Sequence, residues 1–134
     1  MQQLTIDRSK WRTGGIIMDP EQYKKYGGTY LLNKEGMMCC LGFYCEQIGG
    51  ISKDKLLGIA SPENLNIDDV HNIESLVKKD FDYEDDYTLL PSLFTSDAIE
   101  INDSPDISSE VREKQIVEHF KNHNVEVIFE NEYQ

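Results

Sequence analysis

Gly36-Met-Met-Cys-Cys-Leu-Gly-Phe-Tyr-Cys45 is the most apolar and the most chemically capable stretch of the chain, and it holds all three cysteines. Three readings of it are open: a reactive thiol site, half of a metal site, or the central core helix. Its periodicity predicts a helix over residues 38–48, because Leu41, Tyr44, Cys45 and Ile48 recur at helical spacing. Gly49-Gly50 supplies the stop. Gly42 falls inside that helix, where glycine costs about 1 kcal/mol relative to alanine. Such a glycine lets another backbone or a ligand come close.

Working outward from this helix, the flanks read as short mixed elements. Residues 4–6 alternate apolar and polar side chains, as a strand does. Residues 7–15 read as one turn of helix stopped by glycines, and residues 19–28 as a polar loop around Pro20 and Gly27-Gly28. Residues 29–32 are strand-like, and 33–36 form a tight turn. On the other side, Ser52 is placed to cap a short helix over 53–57, closed by Gly58. A loop begins at Ser61-Pro62, and residues 71–79 are predicted to form a short helix. Residues 92–101 read as a helix with Leu93, Phe94, Ala98 and Ile101 inward, followed by a turn over 102–106.

The last helix is expected to start at a Ser108 or Ser109 cap. Glu110 falls in its first turn and Lys121 and His123 in its last, which suits the helix dipole. Ile116, Val117 and Phe120 form its apolar stripe, and Asn124 is a left-handed stop. Residues 125–129, Val-Glu-Val-Ile-Phe, are the clearest strand and can pair with residues 4–6. The fold class predicted is α+β. A small sheet includes paired N- and C-terminal strands, packed by several short helices around the central Cys-containing helix.

The 134 residues fit one domain, 1–134, and contain no internal repeat. No apolar run approaches the roughly 18–20 residues of a membrane span. The polar N-terminus has no signal-peptide pattern, and three cysteines, two of them adjacent, do not make a secreted disulfide framework. A reduced, cytoplasmic protein is expected, with no membrane partner.

The formal charge is −12, unevenly spread. Residues 1–67 carry 8 basic and 7 acidic side chains, whereas residues 68–134 carry 5 and 18. Such a field repels nucleic acid, whose phosphates need clustered Lys and Arg, and attracts basic protein surfaces. Direct nucleic-acid binding is excluded from the expectation. A partner with a basic surface is included.

Several short elements then line up: Trp11-Arg-Thr-Gly14, Gly36-Met-Met-Cys-Cys-Leu-Gly-Phe43, Ile101-Asn-Asp103, Arg112-Glu113, and the closing Val-Glu-Val-Ile-Phe. In this order they resemble a family of small phage-encoded proteins of uncharacterised function that share W-x-x-G, M-C-C-L-G-F and N-D elements. The likeness spans most of the chain and is weakest over residues 60–92. It implies a viral or prophage accessory protein working in the cytoplasm of a bacterial host. It does not supply a reaction.

Cys39 takes the cysteine position of the C-x-L-G pattern that the resemblance suggests. With Cys40 it would sit in a first helical turn, where unpaired N–H groups favour a thiolate. A nucleophile also needs a base, and His71, His119 and His123 are the only histidines. The plainer reading is a small buried hydrophobe. His119 and His123 lie one turn apart, a zinc-compatible spacing, but the cysteine spacings are not those of zinc knuckles, and no metal or cofactor is expected. Trp11, Cys39, Gly42, Asn102 and Asp103 are candidates to line a pocket for a nucleotide-like ligand. Their plainer roles are core packing and turn chemistry.

Asp80-Phe-Asp-Tyr-Glu-Asp-Asp-Tyr87 is an acidic-aromatic run. An EF-hand reading fails, because Asp85 stands where glycine is needed and Pro91 where the closing glutamate is needed. The run is either a solvated loop or a contact for a basic partner. In the latter case Asp80, Asp82, Glu84, Asp85 and Asp86 supply charge, and Phe81, Tyr83 and Tyr87 supply anchors. The common nucleotide, hydrolase and zincin signatures are absent. The leading expectation is a non-enzymatic accessory protein that inhibits a host defence or regulatory factor by binding. A nucleotide-sequestering pocket protein and a cysteine-dependent enzyme are the alternatives.

Overall fold

Residues Gln2–Asp7 and Val125–Glu130 run side by side in parallel, with Gln2 opposite Val125 and Asp7 opposite Glu130. The computed structural model describes the backbone of residues 1–14, 20–70, 73–83 and 86–134, and the side chains of these except 81–83 and 86. In chain order its elements are β1 (Gln2–Asp7), a 3-10 turn (Arg8–Lys10), α1 (Pro20–Tyr26), α2 (Cys40–Gln47), α3 (Lys53–Leu56), a second 3-10 turn (Pro62–Asn64), α4 (Ile67–Val70), β2 (Val77–Tyr83), β3 (Asp86–Pro91), α5 (Leu93–Asp103), α6 (Ser109–Lys121) and β4 (Val125–Glu130). The class is α+β. One two-stranded parallel sheet joins the first and last strands, and an antiparallel ribbon is formed by β2 and β3.

The parallel pair has one dry face. Leu4 and Ile6 of β1 and Val125 and Val127 of β4 are buried, and the alternate positions face out. A two-stranded sheet leaves backbone edges unpaired. Gln47, at the end of α2, covers part of the β1 edge. Its Oε1 accepts from the Thr5 N–H at 2.9 Å, and its Nε2 donates to the Thr5 carbonyl at 2.8 Å.

The core behind this sheet is α2, whose residues Cys40 to Cys45 are all buried. The helix begins at Cys40, two positions later than the span expected from the sequence, so Cys39 stays outside its first turn. Cys39 is the N-cap, extended at φ −78° and ψ 173°, and its side chain makes no capping bond. Gly42 is explained by close approach of backbone. A Cβ there would overlap the Leu31 carbonyl. The 29–32 segment is a linking chain, not the strand expected from its sequence. It is stitched by Cys39 N–H to Tyr30 carbonyl at 3.0 Å, Leu31 N–H to Ile59 carbonyl at 2.8 Å and Gly58 N–H to Leu32 carbonyl at 2.8 Å.

Two helices close the core. The Ser92 hydroxyl caps α5 by accepting from Thr95 N–H at 3.1 Å. Its buried residues are Phe94, Thr95, Ala98 and Asn102, whereas Leu93 is 77% exposed and faces away from the core, contrary to its sequence assignment. Residues 102 and 103 belong to the last turn of α5 and not to a following turn. Ser108 caps α6 by accepting from Val111 N–H at 3.2 Å, and Asn124 ends the run with φ 62°. The buried stripe of α6 is Arg112, Ile116 and Phe120, so Val117 lies outside it.

Two regions depart further from the sequence reading. Pro20 opens a seven-residue helix in the region read as a loop, consistent with proline's fixed φ at a first helical position. Between 71 and 79, strand β2 already begins at Val77, and α4 ends at Val70. His71 lies outside the described residues. The reason is register. Val77 pairs with Pro91 and Lys79 with Leu89, so the segment gains a cross-strand ladder that a short isolated helix would lack.

Candidate functional site

The elements singled out around Trp11, the cysteines and Asn102-Asp103 do come together, and they meet in the interior. The Trp11 indole N–H donates to Asn102 Oδ1 at 2.7 Å, and the Cys40 N–H donates to the same oxygen at 3.0 Å. The Asn102 amide nitrogen donates to the Arg12 carbonyl and to Asp103 Oδ1, both at 3.0 Å. One buried amide therefore uses all four of its hydrogen-bonding capacities. It also performs the capping of α2 that the Cys39 side chain does not, because the Cys40 N–H is one of the unpaired donors at that helix start.

Arg112 reinforces the same point from α6. Its guanidinium donates to the carbonyls of Ile101 at 2.7 Å, Asn102 at 2.8 Å and Ser104 at 2.7 Å. These are the carbonyls left open at the end of α5, where the helix dipole favours a cation. The arginine is buried, so desolvation lowers its pKa, while Asp103 opposes that shift. Asp103 itself is held above the ordinary carboxylate range by burial, with the Asn102 bond and Arg112 pulling the other way. Trp11 completes the cluster by packing on Phe129 at 5.3 Å and Tyr133 at 6.3 Å between ring centres.

The thiols lie in the same interior. All three cysteines are free and buried. Burial pushes the Cys39 thiol up to about 12 and raises Cys40 and Cys45 as well, with the neighbouring charge of Asp103 adding to the rise at Cys39 and Cys40. That is the opposite of what a nucleophile needs. The cavity beside Cys39, Asn102 and Asp103 measures about 20 Å³, room for a water-sized molecule and far below the ~300 Å³ of a small-molecule site. His119 and His123 are elsewhere, around Phe94. His119 stacks on that ring at 5.0 Å with its Nε2 2.9 Å from the Phe94 carbonyl, and His123 meets the ring edge at 4.5 Å. Among the described residues no group of three or more His, Cys, Asp or Glu is arranged to hold a metal ion.

Residues 80–83, 86 and 87 of the acidic-aromatic run lie on the antiparallel ribbon. β2 pairs with β3 from Val77 opposite Pro91 to Tyr83 opposite Asp86, with a register irregularity between Phe81 and Tyr83. Glu84 and Asp85 lie outside the described residues. The ribbon is rooted at its Leu76–Val77 end. Leu76 and Val77 are buried, and the Leu76 carbonyl accepts from Ser92 N–H at 3.0 Å and the Thr95 hydroxyl at 2.7 Å. Beyond that root, Lys78, Lys79 and Asp80 are exposed, as are Thr88 and Leu90 on the facing strand. Lys79 lies over the Tyr87 ring at 4.9 Å, which places one cation against one of the aromatic side chains named from the sequence.

Arg112, quoted from the sequence only as part of the Arg112-Glu113 element, and Asn33 are buried polar residues whose roles no local pattern announces. The Asn33 amide donates to the Tyr26 and Gly28 carbonyls at 2.8 Å each, and its oxygen accepts from Glu35 and Met37 N–H at 2.9 Å each. The turn signal at 33–36 was visible, but nothing in it announced that the side chain would organise residues 26–28. Comparison of the chain with protein-family models, with curated proteins and with solved structures finds no match.

Proposed function

We propose that this protein acts by binding, with the β2–β3 ribbon as its contact for a basic surface on another protein. The carrying observation is a division of labour. The side chains able to do chemistry, Cys39, Cys40, Trp11 and Asn102, are buried, and the bonds from Trp11 and the Cys40 N–H to Asn102 join the turn after β1 to α2 and α5. The densest acidic sequence runs from Asp80 to Asp86, and its described residues lie on the ribbon beyond the Leu76–Val77 root. Five acids against two lysines over residues 77–91 give that ribbon a field that steers a cationic partner and sets register more than it sets raw affinity.

The motif resemblance supports a phage or prophage accessory protein acting in the bacterial cytoplasm, with a host defence or regulatory factor as its target. Among the described residues no helix is long and apolar enough to cross a membrane. The test is retention of a bacterial partner by immobilised protein across a salt series, with Asp80→Asn/Asp82→Asn/Asp86→Asn as comparison. The reading expects retention that falls as salt rises and drops at least tenfold in the neutralised variant. Equal retention by both proteins, or none at micromolar concentration, overturns it.

A further inference from the structure

A larger cavity opens on the opposite chemistry, away from both the interior cluster and the acidic ribbon. It measures about 550 Å³ and lies between α1, the 27–36 loop and the end of α3. That volume falls inside the ~300–1,000 Å³ range of small-molecule sites. Two tyrosines, two lysines and one glutamate contribute its recognition groups: Tyr23, Tyr30, Lys24, Lys34 and Glu35.

The cavity has a fixed frame. Asn33, buried, holds the carbonyls of Tyr26 and Gly28 with one amide group, and Arg12 donates to the Gly27 carbonyl at 2.9 Å. Arg12 also lies over the Tyr26 ring at 5.8 Å. Gly28 is bare because the rings need the space. A Cβ there would stand 2.8 Å from a Tyr30 ring carbon and 3.4 Å from a Tyr23 ring carbon. The two aromatic side chains thus converge on one backbone position, where an added side chain would run into the Tyr30 ring. Tyr23 is 53% exposed, so its ring is free to cover a ligand.

The electrostatics are local. In a chain of formal charge −12, this rim carries two cations and one anion. Neither Lys24 nor Lys34 forms a salt bridge among the described residues. Two rings select a planar aromatic group by stacking, two ammonium groups select an anion, and one carboxylate accepts from a hydroxyl or an exocyclic amine. A base, a phosphate and a sugar hydroxyl or ring amine on one small molecule satisfy all three demands.

We propose that the cavity between α1 and the 27–36 loop binds a nucleoside monophosphate, with the base against Tyr23 and Tyr30, the phosphate at Lys24 and Lys34, and Glu35 on a hydroxyl or amine. This site is distinct from Trp11, Gly42 and Asp103, the residues named for such a ligand from the sequence. It does not rest on the ribbon reading.

The test is titration of the intact protein with AMP, GMP, CMP and UMP by calorimetry, with adenosine and inorganic phosphate as separate arms. At least one monophosphate is expected to bind with a dissociation constant below 1 mM, roughly the affinity that stacking and two charge-assisted contacts sustain. Adenosine and phosphate alone are expected to bind at least tenfold more weakly. Lys24→Ala/Lys34→Ala and Tyr23→Ser, both at exposed side chains, should each weaken the monophosphate at least tenfold. Amide NMR on the unaltered protein should show the shifts at Gly27, Gly28 and Gly58. No binding by any monophosphate at 5 mM, equal binding by phosphate alone, or shifts confined to other residues overturns the proposal. The ribbon variant Asp80→Asn/Asp82→Asn/Asp86→Asn should bind the monophosphate unchanged, so the two readings fail separately.

Discussion

Trp11 and Asn102 are 91 positions apart in the chain and are joined by a buried bond of 2.7 Å from the indole N–H to the amide oxygen. Because the same oxygen takes the Cys40 N–H, this one contact ties the turn after β1 to the start of α2 and the end of α5. We expect Asn102→Ala to leave two buried donors unpaired, each costing about 1–3 kcal/mol. The variant should therefore be destabilised by about 2–6 kcal/mol in urea unfolding. A loss below 1 kcal/mol would show that the amide is not the junction described.

Gly42→Ala tests the packing of α2 against the 29–32 segment. The added methyl would overlap the Leu31 carbonyl, which is itself held through the Leu31 N–H bond to Ile59. Backbone yields less readily than a flexible side chain, so we expect a loss of about 3 kcal/mol or more, at the upper end of overpacking effects. Alanine's better helix propensity offsets only about 1 kcal/mol of it. Thermal unfolding of the variant measures the balance, and an unchanged midpoint would contradict the close approach.

Cys39 provides a kinetic check. With its thiol pushed up to about 12 by burial, almost none is thiolate at neutral pH. Alkylation by iodoacetamide should be slow in the native protein and should accelerate in urea in step with unfolding. Rapid modification below neutral pH would restore the enzyme reading.

Asp103 gives a pH signature of defined sign. Its carboxyl is raised in the folded state, chiefly by burial, so the folded protein binds that proton more tightly than the unfolded chain does. Its contribution to stability is therefore fully present below the unfolded pKa of about 3.9 and is lost as pH rises through the folded value. Asp103→Asn keeps an oxygen for the Asn102 bond and removes this loss. Relative to the parent, the variant should gain stability between pH 4 and pH 7, read as urea midpoints. A parent-minus-variant difference that stays constant over that range would count against it.

Glu113 should act in the opposite sense. It receives Arg8 at 3.0 and 2.7 Å and the Tyr133 hydroxyl at 2.5 Å, and these bonds hold its carboxyl below the usual range. Its stabilisation is present above the unfolded pKa of about 4.3 and is lost as pH falls through the lower folded value. The pair is partly solvated, so Glu113→Gln should cost about 1 kcal/mol or less at pH 7 and nothing near pH 2. Urea midpoints at the two pH values give the comparison.

How far the sequence carried depends on the kind of signal. The strand at residues 125–129, its pairing with residues 4–6, the Ser108 cap and the Asn124 stop were all legible, because apolar alternation and capping chemistry are local. Helix α1 was not. None of its residues is buried, so it has no apolar stripe, and Pro20 with a glycine pair reads as loop chemistry. The inward face of α5 was misplaced for a related reason. Thr95 and Asn102 occupy core positions through hydrogen bonds, and hydrophobic periodicity counts them as surface. The Trp11, Cys39 and Asn102-Asp103 elements, read from the sequence as candidates to line a ligand pocket, do lie near one another. That they would be sealed inside, with an asparagine serving as the cap of a distant helix, depends on tertiary contacts no local pattern encodes.

The parallel pairing of β1 with β4 also sets an order of events during synthesis. Leu4 and Ile6 leave the ribosome more than a hundred residues before their sheet neighbours Val127 and Phe129. Closing so long a loop adds entropic cost and slows folding. The nascent chain must therefore carry a sticky, unpaired β-edge until residues 125–130 emerge. Any truncation that removes residues 125–130 should leave a species that self-associates or is degraded before it matures.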